Sequence, residues 1–240
     1  ATVEILASAE PPPFQIDGRV EVDETIRIRH RYLDLRTGRM QQNLRSRAAI
    51  SAAIRRSMED QDFVEVETPM LIASTPEGAR DFVVPSRLSP GDFYALPQSP
   101  QLFKQLCMVG GIDRYYQIAR CMRDEDLRAD RQFEFTQLDM EMSFADGEQV
   151  RAVVSEAVSN ATEMITGQRP ESIPEMSWLE AMNRYGSDKP DVRFDLELVE
   201  LTEVFSGTDF NAFKASSIKG IKVEGTDIEE EITKDTYIIL

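Results

Sequence analysis

The chain of 240 residues predicts an α+β fold, an antiparallel sheet with helices packed on it. Three observations carry that expectation. Residues 115–122 form an aromatic, β-prone run, Tyr-Tyr-Gln-Ile-Ala-Arg-Cys-Met. Residues 133–144 alternate with the period of a strand, so Thr136, Leu138, Met140, Met142 and Phe144 make a mostly apolar face. Two longer stretches have helical spacing instead. Residues 37–59 carry Met40, Leu44, Ala48, Ala52 and Ile54 as one stripe, and the segment after Asp146 carries Val150, Val153, Val154, Ala157, Val158, Ala161 and Ile165.

Taken in order, residues 1–36 read as a strand, the Pro11-Pro12-Pro13 linker and an extended charged connector. The first long helix follows. Phe63-Val64-Glu65-Val66-Glu67 then alternates as a strand and stops before Pro69. Ser99 is expected as the N-cap, and Pro100 as the first position, of a helix that Gly110-Gly111 terminates. Asp146 caps the next long helix and Gly167 ends it, while Ser177-Trp178-Leu179-Glu180 fits a capping box for a short one. From about Thr202 the composition shifts. Residues 210–222 and 236–240 read as strand pieces around the acidic patch at 224–231.

Apolar content of 41% suits a globular core, and no apolar run approaches the length of a membrane span, so the cytoplasm is the expected compartment. Cys107 and Cys121 lack metal-ligand or disulfide-framework spacing and read as small buried residues. A net charge of −16 argues against broad nucleic-acid affinity. The interval from Arg27 to Arg56 is the exception, with nine arginines and Asp34 as its single acid. It fits equally a guide for one RNA or a solvated basic helix. The only histidine, His30, lies in that interval and reads as structural, which makes a histidine-based nucleophile or general base a poor fit.

The loop at 123–132, Arg-Asp-Glu-Asp-Leu-Arg-Ala-Asp-Arg-Gln, spends its length on alternating charge where a plain hairpin wants Gly or Asn. Beyond it Phe133, Phe135, Gln137, Asp139 and Glu141 share one strand face. A ring on the face of Asp139, beside arginines, suits a flat base carrying phosphate. Taken alone, the loop fits a solvated hairpin just as well. Residues 96–106 add weight. Lys104 falls in the first turns of its helix, near the positive end of the dipole, where a cation is unfavourable unless an anion sits beside it. Gln101 shares its face. Upstream, Thr75-Pro76-Glu77-Gly78-Ala79-Arg80-Asp81 is a tight charged loop in which Glu77 is placed to receive an ammonium. A capped surface helix and a polar turn explain each piece singly. Together they describe a pocket for a small zwitterion with an acidic side chain, next to a base and a phosphate.

The stretches FVEVETPMLIASTPEGARDF, FYALPQSPQLFKQL, YYQIARCMRDEDLRADRQFEFTQLDMEMSF and RYGSDKPDVRF resemble the bacterial aspartyl-tRNA synthetases, class II enzymes of the aspartate/asparagine/lysine subgroup. The resemblance runs over about residues 1–200. It implies aspartyl-adenylate formation from ATP and L-aspartate, then transfer to tRNA. Arg123 would bridge the α-phosphate and the aspartate α-carboxylate. Glu125 and Gln132 would contact ATP, and Phe135 would stack on adenine. Glu77, Ser99, Gln101 and Asp139 would surround the substrate amino group, and Lys104 would pair with its side-chain carboxylate. The resemblance further implies a hinge at 1–36 from an anticodon-binding barrel, a catalytic domain at 37–201 and part of an inserted domain at 202–240. It makes residues 37–69 a homodimer interface. The family's third motif, with its γ-phosphate arginine and Mg²⁺ acids, has no counterpart here, so no metal ligand is expected in this chain. Phe133 departs from the proline many members carry. Two other readings stay open: an asparaginyl-tRNA synthetase or aspartate–ammonia ligase on the same sheet, and a non-catalytic fragment.

Overall fold

The computed structural model describes residues 2–75, 77–214 and 216–221, which form two compact units, the first ending at Glu171 and the second beginning at Ser172. The first unit holds α1 (Glu24–Arg29), α2 (Arg31–Asp34), α3 (Gly38–Glu59), β1 (Val64–Glu65), β2 (Val83–Pro85), β3 (Phe93–Ala95), α4 (Gln101–Val109), β4 (Arg114–Met122), β5 (Glu134–Met142) and α5 (Gly147–Thr166). The second holds α6 (Trp178–Tyr185), β6 (Leu198–Glu200) and β7 (Lys219–Ile221). The architecture is α+β, as the two strand runs and two helical stripes imply.

The sheet that matters has the order β1-β4-β5. β1 runs parallel to β4, and β4 pairs antiparallel with β5 over its whole length, with Gln117 opposite Asp139 and Tyr116 opposite Met140. Strand alternation then sorts the side chains. On one face Met58, Phe63, Tyr116, Val153 and Ala157 form the buried core, with Ile54, Leu138, Met140 and Met142 packed against it. Each large side chain so buried contributes roughly 1.5–3 kcal/mol. The other face carries Tyr115, Gln117, Asp139 and Glu141, and α4 lies along it.

Helix ends follow the local chemistry. Asp146 and Gln149 make a reciprocal capping box for α5, and Gly167 ends it in the left-handed region at φ +73°. Thr37 caps α3 through Met40 N–H, and Ser177 caps α6 through Glu180 N–H. Asn160 on α5 donates to Ser57 Oγ on α3 at 3.0 Å, a polar tie beside the core.

Several expectations need correction. Residues 2–13 hold no strand, and the connector is helical over α1 and α2. Asp23 caps α1 through Thr25 N–H at 2.9 Å, and the buried Asp34 gathers Arg31 at 2.7 Å and Arg27 at 3.9 Å. The strand expected at 63–67 shortens to two residues; Phe63 N–H is spent on Met58 O at 3.0 Å, and its ring is buried in the core. On α3 the expected stripe is mostly outward: Leu44, Ala48 and Ala52 are exposed, and Ala53, Ser57 and Met58 are buried instead. On α5 only Val153 and Ala157 of the stripe are buried, while Val150, Val154, Val158 and Ile165 are exposed. Phe144 does not extend β5; it sits in a turn at φ 55° and is wholly exposed. The helix at 99 begins one residue late, with Pro100 as N-cap, because Ser99 turns its hydroxyl elsewhere. Cys121 is buried, but Cys107 is only partly so. In the second unit Asn211–Phe213 is a 3₁₀ turn, not strand, whereas β7 does fall in the expected interval. The expected strand at 236–240 and the acidic patch lie outside the described residues.

Candidate active site

Lys104 is the centre of the site. The first turns of α4 aim it across the sheet, where its side chain is 12% exposed and its Nζ lies 2.9 Å from Asp139 Oδ1 and 3.3 Å from Glu141 Oε2. It also donates to the Met140 carbonyl at 3.5 Å. Asp139 is 7% exposed, and its Oδ2 accepts from Gln137 Nε2 at 2.8 Å. Its Oδ1 is in charge contact with the ammonium yet off the line of a hydrogen bond, which leaves that oxygen's bonding capacity unspent. Burial works to lower the lysine pKa, but the closely held carboxylates of Asp139 and Glu141 prevail, and it is raised. The anion that the helix dipole demands is thus supplied by the protein itself, from β5.

Behind this cluster Gln117, buried, accepts from Tyr115 Oη at 2.8 Å and from Thr68 Oγ1 at 3.0 Å. Burial, with Asp139 nearby, pushes the Tyr115 phenol far above its ordinary value and the Cys121 thiol up to about 11. Both groups stay neutral and serve as the floor.

A second group forms where the 74–81 loop meets the start of α4. Ser99 Oγ donates to Glu77 Oε2 at 2.7 Å, and Thr75 Oγ1 donates to Glu77 Oε1 at 3.2 Å. Gly78 takes φ +108°, which lets the loop turn there. Gln98, 2% exposed, accepts from Ala79 N–H at 3.1 Å, donates to Ala79 O at 2.9 Å and donates to the Asp81 carboxylate. Gln101 opens α4 half-buried, one turn before Lys104.

The third group is the charged loop. The Arg123 guanidinium lies over the Phe135 ring at 5.0 Å and its Nε donates to the Gln98 carbonyl at 3.4 Å. Arg80 and Asp124 pair through backbone and side chains, with Asp124 N–H to Arg80 O at 3.0 Å and Arg80 Nε to Asp124 Oδ2 at 3.5 Å. Glu125 faces Arg131 at 3.4 Å, and Gln132 is exposed. So the structure joins Glu77 to Ser99, Lys104 to Asp139, and Arg123 to Phe135, while Glu125 and Gln132 remain on the loop.

Four participants are not singled out by the sequence pattern as site residues: Gln98, Gln137, Glu141 and Asp81. Gln137 and Glu141 are nonetheless legible as the strand neighbours of Asp139, two residues to either side on one face. Gln98 has a fainter signal, an amide held between Pro97 and Pro100.

No metal centre emerges among the described residues, where no trio of His, Cys, Asp or Glu is arranged to hold an ion. The arrangement instead presents cations at two points, Lys104 and Arg123, with carboxylates and an aromatic ring between and beside them. That suits the binding of a zwitterionic acid next to a nucleotide, on an α+β sheet whose second face is its core. The chain belongs to the class II tRNA synthetases of the D, K and N group, whose family profile matches residues 23–239. It is similar to the aspartate–tRNA(Asp/Asn) ligase of Gloeobacter violaceus, 56% identical over 92% of this chain and 38% of that protein. The ligases of the same name from Halothermothrix orenii and Mycobacterium avium are 50% and 52% identical over 97% and 99% of this chain. The chain spans about 38–40% of the length of these relatives.

Proposed function

We propose that the whole protein containing this chain is an aspartate–tRNA ligase, which activates L-aspartate with ATP and passes it to tRNA. The observation that carries this reading is the nearly buried Lys104 ammonium beside Asp139, one helix start away from Glu77 and within the same sheet face as Arg123 and Phe135. The aspartate side-chain carboxylate would take Lys104, displacing its longest contact, the Met140 carbonyl. The α-ammonium would sit among Glu77, Ser99, Gln101 and Asp139, whose Oδ1 has hydrogen-bonding capacity to spare. Arg123 would hold the α-carboxylate against the ATP α-phosphate, Phe135 would carry adenine, and Glu125 and Gln132 would hold ATP from the loop.

No general base is needed. The substrate α-carboxylate is itself the nucleophile: it attacks the α-phosphorus and pyrophosphate leaves; a terminal tRNA hydroxyl then attacks the acyl carbon, and AMP leaves with the hydroxyl proton released. The chain's own contribution is alignment and charge neutralisation. Among the described residues no cluster of carboxylates is arranged to hold Mg²⁺.

Discrimination against asparagine follows from competition. Lys104 is not bare, since Asp139 and Glu141 already hold it, and a neutral amide cannot compete with two carboxylates for an ammonium. The test is pyrophosphate exchange by the whole protein with each amino acid. Stimulation by asparagine and not by aspartate would overturn the assignment. Aminoacylation of both tRNAs would show whether the protein shares the double tRNA name of its relatives.

The wider reading has the protein as a homodimer in the cytoplasm, with residues 1–36 as hinge, 37–201 as catalytic domain and 202–240 as part of an insertion. The exposed face of α3 around Leu44, Ala48 and Ala52 supports a dimer contact. Exposed Arg29, Arg36, Arg39, Arg45 and Arg56 support tRNA approach. Among the described residues no helix is long and apolar enough to cross a membrane.

A further inference from the structure

We infer that Gln98 is a positioning residue that couples the amino-acid half of the pocket to the nucleotide half, so that filling one side favours filling the other. The inference rests on the functional reading above. Gln98 touches neither proposed substrate. Its side chain is spent wholly on the 79–81 segment, through Ala79 N–H at 3.1 Å, Ala79 O at 2.9 Å and the Asp81 carboxylate. Its backbone carbonyl takes the Arg123 guanidinium at 3.4 Å. The residues on either side extend the tie. Pro97 O accepts Met122 N–H at 2.9 Å, and Ser99 holds Glu77 at 2.7 Å.

Three residues in sequence therefore knit the 74–81 loop to the end of β4 and the start of the charged loop. A buried amide with both hydrogens and its oxygen engaged has one favourable orientation, so it transmits displacement instead of absorbing it. A nucleotide that fixes Arg123 restrains the Gln98 backbone, which restrains Ala79 and Asp81 and with them Glu77. The ordering cost of the loop is then met once, and aspartate binds to a loop already set. Coupling of this kind is reciprocal.

The test uses the whole protein, with aspartate affinity measured in the absence and presence of a non-hydrolysable ATP analogue. The parent should bind aspartate at least about 5-fold more tightly with the analogue present, the low end of ordinary site coupling. Gln98→Glu keeps the size and the acceptor for Ala79 N–H but loses both donated bonds and sets a carboxylate against Asp81. It should bring the coupling factor to within about twofold of unity while analogue affinity alone stays within about twofold of the parent's, a pattern that a merely structural lesion would not produce. Adding Asp81→Asn, which restores a donor opposite the new carboxylate, should recover part of the coupling. Should the single variant fail to fold, Asp81→Ala alone removes the acceptor of one bond that Gln98 donates, at its half-buried end, and should weaken the coupling. Coupling unchanged in the folded variant, or in Asp81→Ala alone, would overturn the inference. A parent that binds neither ligand would overturn the functional reading instead, and the inference with it.

Discussion

Replacing Lys104 with Met separates what the ammonium does for the fold from what it does for the substrate. The side chain is 12% exposed and Asp139 is 7% exposed, so solvent screens the pair little. At 2.9 Å the attraction is about 6 kcal/mol for an effective dielectric near 20, before the cost of desolvating both ions is set against it. Removing one partner of such a pair strands the other, which costs roughly 3–5 kcal/mol. Glu141, 31% exposed, softens this by turning to water, so the low end is expected for stability. We predict that Lys104→Met in the whole protein loses about 3 kcal/mol of stability and, separately, about 2–5 kcal/mol in kcat/KM for aspartate. Thermal denaturation and pyrophosphate exchange read the two effects. Adding Asp139→Asn should return stability, because no anion is then stranded, without returning aspartate use. The ion pair's pH dependence has a definite sign. The lysine pKa is raised on folding, so its stabilisation is complete below the ordinary lysine value and is lost as pH rises through the raised one. Unchanged aspartate kinetics in a folded Lys104→Met protein would refute the assigned role.

Three further outcomes are expected. Arg123→Ala should slow adenylate formation by roughly 3–4 kcal/mol, the loss of one preorganised charge stabiliser, and exchange within threefold of the parent's would contradict that. The whole protein should be a homodimer through residues 37–69, and light scattering that reports a monomer at micromolar concentration would exclude it. The 240-residue chain alone should bind ATP weakly, fail to turn over and aggregate, and steady adenylate synthesis by the purified chain would show this to be wrong.

The polar site is more legible in the sequence than the apolar packing, and the reason is physical. Lys104 in the first turns of a helix is costly by itself, so its position alone calls for an anion nearby. The strand period then places Asp139, Glu141, Gln137 and Phe135 on one face, where the structure has them. What the local pattern does not reveal is the identity of the anion, because β5 reaches α4 only through tertiary packing. Gln98 is hidden for a similar reason: its partners, Ala79, Asp81 and Arg123, lie far from it in sequence, and a lone amide has no period.

Helical stripes mislead where they mark apolar surface without saying what covers it. On α5 the stripe is real, but only Val153 and Ala157 meet the core. Val154, Val158 and Ile165 line, with Ile50, Ile54, Leu138 and Met140, an open apolar cleft of about 520 Å³. On α3 the outward run of Leu44, Ala48 and Ala52 imitates a core side, since small residues at helical spacing suit a buried face and a docking face equally. Hydrophobic periodicity reports that a surface is apolar; it does not report whether this chain is what buries it. Both departures have the same sign, apolar positions more exposed than their spacing implies. The polar cluster escapes that bias. Lys104, Asp139, Glu141 and Gln98 find their partners within residues 77–141, one ammonium against two carboxylates and an amide with both hydrogens and its oxygen engaged.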